Sequence, residues 1–122
     1  MAENAIVKPA SRRWSWVVGI AIVLAAVSWS LLTIRAVNVG EAFSDDLAHA
    51  WQTVWNVGHG YGFQHSHIPL HHDAPRLATH ADYVLILLAP LSWMWPSYEV
   101  LMVAQAVIVA MGAWFLFLFA RR

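Results

Sequence analysis

The stretch Trp14–Ile34, "WSWVVGIAIVLAAVSWSLLTI", carries no charged side chain from end to end. A helix crossing the hydrocarbon core of a bilayer needs about 20 such residues. Lipid offers no water to unpaired backbone N–H and C=O groups, so a run of this kind resolves as an α-helix. A second run, Val100–Ala120, "VLMVAQAVIVAMGAWFLFLFA", repeats the pattern, with Gln105 as its one strongly polar side chain. Trp14, Trp16 and Trp29 lie towards the ends of the first run, where indole rings favour the lipid–water interface.

Composition agrees with these two runs. Of the 122 residues, 60% are hydrophobic and 11% charged, and eight are tryptophan. A water-soluble domain carries about 25% charged residues. Seven Lys plus Arg balance seven Asp plus Glu, which leaves no basic excess for nucleic acid. The chain has no cysteine, which excludes disulfides, Fe–S clusters and thiol catalysis. Lys8, Arg12 and Arg13 ahead of the first run would also suit a secretory signal. Its apolar core exceeds the usual length of about 7–15 residues and no small-residue cleavage site follows, so it reads as a retained anchor.

Charge sets the expected orientation. Lys8, Arg12 and Arg13 precede the first span, and Arg121 and Arg122 follow the second. Basic flanks stay in the cytoplasm, so the segment Val37–Ser97 is expected on the outer side. There Glu41, Asp45, Asp46, Asp73 and Asp82 face a single cation, Arg76, and Arg35 can snorkel from a helix end. A third apolar stretch, Tyr83–Trp95, "YVLILLAPLSWMW", would rise only about 20 Å as a helix, too little to span. Pro90 and Pro96 interrupt it, so it reads as interfacial or re-entrant.

The expected fold class is an all-α membrane protein, two transmembrane helices joined by an outer segment with two amphipathic or interfacial helices. The order is a cytoplasmic tail (1–13), a transmembrane helix (14–35), an extracytoplasmic segment (36–97) with helices near 45–58 and 82–94, a second transmembrane helix (98–120) and a cytoplasmic end (121–122).

The chemistry concentrates in Ser44–Gly60, "SDDLAHAWQTVWNVGHG". Ser44 suits a helix cap, and Asp45 and Asp46 suit a first turn, where negative charge meets the positive end of the helix dipole. Leu47, Ala50, Trp51, Val54 and Trp55 recur at helical spacing as one apolar face. Asp45, His49, Gln52 and Asn56 form a polar stripe, and Gly58, Gly60 and Gly62 end the helix. The helix lacks the Lys/Arg face of a simple anionic-lipid binder. The acidic pair is either a helix start or a carboxylate positioned as general base beside the membrane; spacing leaves both readings standing.

The following stretch, Gln64–Asp82, "QHSHIPLHHDAPRLATHAD", holds His65, His67, His71, His72, Asp73, His80 and Asp82. These are sound ligands for zinc or a similar divalent metal, with His71, His72 and Asp73 the tightest group. No ligand spacing such as HExxH occurs, and Pro69 and Pro75 indicate an irregular loop of solvated histidines as the plainer reading. Arg76 suits a phosphate or pyrophosphate by paired donors, or an ion pair with Asp73 or Asp82.

From Asp46 onward the order of features resembles the domain-of-unknown-function 2079 family, multi-pass membrane proteins of bacteria and archaea similar to GT-C glycosyltransferases. Its opening motif, approximately D-L-G-I-F-D-Q-A-L-W-N and then H-G, fits Asp46, Leu47, Gln52, Trp55, Asn56, His59 and Gly60. Further on, Arg76, Leu77, His80, Asp82, the "LLAPL" run, Pro96, Ser97, Gln105, Gly112, Ala113 and Arg121 match. The family's second acidic position is Trp51 here, and the chain stops after its second span where the family continues through many.

The resemblance implies transfer of a sugar from a polyprenyl-phosphate donor to an acceptor on the outer face of a prokaryotic cytoplasmic membrane. It makes Asp46 the base, with Asp45 as neighbour or substitute. Gln52, Asn56, Arg76, His80 and Asp82 become substrate-side residues, and the remaining transmembrane helices of a longer protein become partners. This chain is then an N-terminal portion, inactive alone. The alternative function is a small non-enzymatic two-span protein whose His-rich loop binds metal or a partner; Gln105 can hydrogen-bond between helices under either reading.

Overall fold

A computed structural model describes residues 12–42, 45–66, 73–75 and 82–121, with the backbone alone at 65, 66 and 73–75. The two apolar runs are its two long helices, α1 (Arg12–Asn38) and α5 (Glu99–Ala120). Between them lie α2 (Asp45–Gly58), a two-stranded ribbon of β1 (Gln64–Ser66) and β2 (Asp73–Pro75), and two one-turn helices, α3 (Leu85–Leu88) and α4 (Leu91–Met94). Among the described residues the fold is thus that of a helical membrane protein, with two helices long and apolar enough to cross a bilayer and a helix-bearing middle segment. At 27 and 22 residues, α1 and α5 extend about 40 and 33 Å, enough for a hydrocarbon core of about 30 Å.

The long helices form an antiparallel hairpin. At one end the Tyr98 hydroxyl donates to Asn38 Oδ1 at 2.6 Å, and at the other Arg121 Nη1 donates to Ser15 Oγ at 3.1 Å. The face of α1 turned inward includes Ser15, Gly19, Ala26 and Ser30, the small residues that let two helix backbones approach in lipid. Ring carbon Cζ3 of Trp114 comes within 3.9 Å of the position a Cβ on Gly19 would take. Ser30 Oγ donates to the Ala26 carbonyl at 2.7 Å, and Thr33 Oγ1 to the Trp29 carbonyl at 2.9 Å, so both hydroxyls are satisfied inside α1.

Burial is inverted relative to a soluble fold. Only 6% of the most apolar stretch of α1 and 22% of that of α5 is buried, whereas a helix this apolar in a soluble protein lies in the core. Trp16, Leu24, Leu31, Leu116 and Phe119 all face outward, an arrangement that lipid rewards and water penalises.

The buried core sits instead where the middle segment meets the first turn of α5. Val54 of α2, Leu85 of α3, and Val100 and Leu101 of α5 are buried together, with Leu47, Ala50, Trp51, Leu88 and Leu91 packed around them. Each such buried side chain contributes about 1.5–3 kcal/mol. Where one helix was expected over about 82–94, two one-turn helices stand, Leu85–Leu88 and Leu91–Met94. Pro90 has no N–H, so the Ile86 carbonyl accepts from Ala89 N at 3.2 Å instead, and α4 starts afresh with Pro90 at φ −61°. Trp95, ahead of Pro96, is extended at φ −143°, ψ 92°, and ends α4.

The irregular loop expected around the histidines contains the β1–β2 ribbon, paired Gln64↔Pro75, His65↔Ala74 and Ser66↔Asp73. Pro75 occupies the terminal pair, where a missing donor costs least. Ser44, the expected cap of α2, lies outside the described residues.

The end of α2 is clamped onto the break between α3 and α4. Trp93 Nε1 donates to the Gly58 carbonyl at 2.8 Å. A Cβ on Gly58 would fall 2.5 Å from Ser92 Oγ, itself 1% exposed, and 3.0 Å from the Ala89 carbonyl. Gly58→Ala is therefore expected to destabilise this junction by about 1–3 kcal/mol, more than the roughly 1 kcal/mol for the lost hydrogen bond in Trp93→Phe. Amide hydrogen exchange over 85–94 checks this, and wild-type protection in Gly58→Ala would refute the clamp.

Candidate functional site

The site is built on α2. Its apolar face packs through Leu47, Ala50, Trp51 and Val54 onto α3 and the start of α5, which fixes the rotation of the helix and the direction of its first turn. Asp45 and Asp46 occupy that first turn and both are exposed, so their charges are well placed against the dipole. Their surroundings differ. Asp46 lies on the edge of a cavity of about 430 Å³ bounded by α2, α3 and α5, which Asp45 does not line. The cavity wall is hydrocarbon, including Leu85, Leu88, Leu101 and Ile108, and Gln105 supplies the other polar side chain. An apolar hollow with a few converging polar groups is the usual form of a small-molecule site.

Gln105 also lines a smaller cavity of about 230 Å³ on the α1 side, with Trp29, Thr33 and Met102. A third, of about 360 Å³, lies beside Trp51 and Tyr98. Neither is lined by an acidic side chain among the described residues. Of these three, the Asp46 cavity joins a carboxylate to an apolar wall.

The opposite end of α2 is occupied with ending the helix. Gly60 N donates to the Val57 carbonyl at 3.3 Å and Tyr61 N to the Asn56 carbonyl at 2.8 Å, with Gly60 at φ 84°. This is a Schellman closure, which requires a left-handed residue and therefore favours glycine. The Asn56 side chain donates through Nδ2 to the Gln64 carbonyl at 2.6 Å, tying β1 back to the helix. His59 stacks on Trp55 with ring centroids 3.9 Å apart, its Nδ1 lying 2.7 Å from the Trp55 carbonyl. Asn56, His59 and Gly60, read in the sequence as part of one motif with Asp46, thus hold the exit from α2.

Asp82 is half-buried at the start of α3, its carbonyl accepting from Leu85 N at 3.0 Å. Gln52 is half-buried on α2. Arg76, His80, His71 and His72 lie outside the described residues, and Asp73 is described only as backbone in β2. Among the described residues no three His, Cys, Asp or Glu side chains gather as a metal site. The structure therefore brings Asp46 and Gln105 to one cavity. That role for Gln105 was hidden in the sequence, where a lone glutamine in an apolar run signals helix contact; only the placement of α2 across α5 reveals the shared hollow.

The sequence model of a family described as "Predicted membrane protein (DUF2079)" matches residues 44–122. No curated protein and no solved structure matches the chain. Loss of the Asn56 amide in Asn56→Ala is expected to cost about 0.5–1.5 kcal/mol locally. Faster amide exchange across 57–64, with α5 unchanged, is the readout.

Proposed function

This chain belongs to the DUF2079 family of predicted membrane proteins, and from that premise we propose that it contributes the first two spans of a GT-C-like integral membrane glycosyltransferase. The reaction moves a sugar from a polyprenyl-phosphate donor to an acceptor hydroxyl at the outer membrane face. The observation that carries this reading is Asp46, an exposed carboxylate lining a cavity walled mainly by apolar side chains of α2, α3 and α5.

Asp46 takes the role of general base. It accepts the proton of the acceptor hydroxyl as the oxygen bonds to the sugar's anomeric carbon and the polyprenyl phosphate departs. Asp45, one residue away and off the cavity, supplies negative charge to the helix start. Gln52, Asn56, Arg76, His80 and Asp82 stand as residues on the substrate side of this reaction.

Orientation follows from charge. The hairpin holds Arg12 and Arg13 of α1 at the same end as Arg121 of α5, and a basic cluster at one end of a span favours the cytoplasm. The cell-surface side then receives α2, and the protein resides in the cytoplasmic membrane of a prokaryote.

Two measurements test this. The chain has no cysteine, so Arg13→Cys and Tyr61→Cys each report one position. A membrane-impermeant maleimide added to intact cells is expected to label position 61 and spare position 13; the reverse pattern removes Asp46 from the outer face. In the longer parent protein, Asp46→Asn is expected to lower sugar transfer on the order of 100-fold or more, the usual cost of losing a general base. Asp45→Asn is expected to cost much less. If Asp45→Asn abolished transfer and Asp46→Asn did not, the base would be Asp45.

A further inference from the structure

The end of the hairpin opposite Asp46 gathers positive charge from both spans. Arg12 and Arg13 stand exposed in the first turn of α1, and Arg121 closes α5. The seam between the helices sets their placement. Trp114 reaches the Gly19 position, and one turn of α1 further out Arg121 Nη1 donates to Ser15 Oγ at 3.1 Å. Arg12 lies a further turn out on the same face of α1, ahead of Ser15, which puts the two Cβ atoms about 5–6 Å apart. Helical side chains lean towards the N-terminus. The Ser15 hydroxyl, and the Arg121 guanidinium it holds, therefore lie over the turn that carries Arg12.

Arg121 is also fixed from its own helix. It is half-buried, with Cζ 5.6 Å from the centroid of the Phe117 ring one turn back on α5. A guanidinium has five N–H donors in a rigid fork, and the bond to Ser15 uses one of them. Two cationic side chains placed side by side repel each other. A bridging anion turns that repulsion into attraction, and a phosphate matches the guanidinium fork with paired oxygens. Depth in the membrane identifies the source of the phosphate. Trp14 and Trp16 occupy the same stretch of α1 and are 60% and 66% exposed, and indole rings settle among lipid head groups. A phosphate at that depth belongs to a phospholipid.

We propose that the mouth of the hairpin, between Arg12 and Arg121, binds the phosphodiester of an anionic phospholipid of the phosphatidylglycerol type. Arg12 and Arg121 donate to its non-bridging oxygens from the two spans, Arg13 adds charge at the rim, and the acyl chains run into the surrounding bilayer. Basic pockets between spans take lipid head groups in this way. A zwitterionic lipid fits less well, because its choline cation meets the same positive charge. Ser15 is a positioning residue that aims the Arg121 fork and does not touch the lipid. The site is independent of the reaction at Asp46, which lies at the other end of the spans.

The test uses the whole chain in a neutral detergent, with added lipid counted on the protein by native mass spectrometry. Phosphatidylglycerol and phosphatidylcholine with identical chains are compared, and inorganic phosphate is added as a competitor. One phosphatidylglycerol per chain is expected to be retained, with a preference of about tenfold over phosphatidylcholine. Arg121→Gln and Arg12→Gln are each expected to weaken retention about tenfold, the loss of one set of charge-assisted hydrogen bonds. Arg121→Lys, which keeps the charge and loses the fork, is expected to recover part. Ser15→Ala changes no charge and is expected to weaken retention about threefold, a fraction of one hydrogen bond. Arg35→Gln removes an equal charge from the last turn of α1 and is expected to leave retention unchanged.

Helix content unchanged by circular dichroism separates these losses from misfolding, and Arg12→Gln leaves the Arg121–Ser15 contact in place. Equal retention of the two lipids overturns the proposal. A loss as large in Arg35→Gln as in Arg121→Gln also overturns it, since that pattern marks unspecific attraction between charges. Full retention in both Arg12→Gln and Arg121→Gln places the lipid elsewhere on the chain. Displacement of phosphatidylglycerol by inorganic phosphate at millimolar concentration would make the ligand the free ion and overturn the lipid as its source.

Discussion

The antiparallel packing of α1 against α5 is the contact on which the other features depend. In lipid, apolar area gives no drive for two helices to associate, so close approach at small residues and a few polar contacts must hold them. Here the approach runs along Ser15, Gly19, Ala26 and Ser30 on α1, and the polar contacts stand at the two ends, Tyr98 to Asn38 and Arg121 to Ser15. Fixing both ends fixes register. The consequence is that the middle segment leaves and rejoins the hairpin at one end, so its described helices α2, α3 and α4 gather at the head of α1 and α5.

That geometry explains where the protein keeps its water-driven core. The spans have lipid for a solvent and bury little; the cluster of Val54, Leu85, Val100 and Leu101 forms at the head of the hairpin, where water is near enough to make burial favourable. Because Val100 and Leu101 belong to the first turn of α5, the core couples the middle segment to the membrane span directly. The direction of α2, and therefore the position of Asp46 beside the cavity between α2, α3 and α5, is set by that coupling.

Much of this was legible in the sequence because it rests on local period and length. The uncharged runs gave both spans, and the recurrence of Leu47, Ala50, Trp51 and Val54 gave the buried face of α2. The unread features depend on distant partners. Pro90 warned of the break; what it did not tell is that Gly58 of α2 seats closely against Ser92 and the Ala89 carbonyl there. The ribbon at Gln64–Ser66 and Asp73–Pro75 had no alternating pattern to announce it. Asn56 and His59 matched the motif, and the contacts they make at the helix end, to the Gln64 and Trp55 carbonyls, were not legible from it.

The acidic pair shows how one helix start separates two neighbours. Asp45 and Asp46 meet the same dipole and are both exposed, so capping electrostatics cannot distinguish them. One residue of helix, however, turns a side chain by about 100°, and α2 is held so that this turn carries Asp46 onto the cavity edge and leaves Asp45 off it. Trp51 fits the same logic: it lies on the face packed against the core cluster, where a carboxylate would be desolvated without a partner. An aromatic there strengthens the docking of α2, and the docking is what aims Asp46.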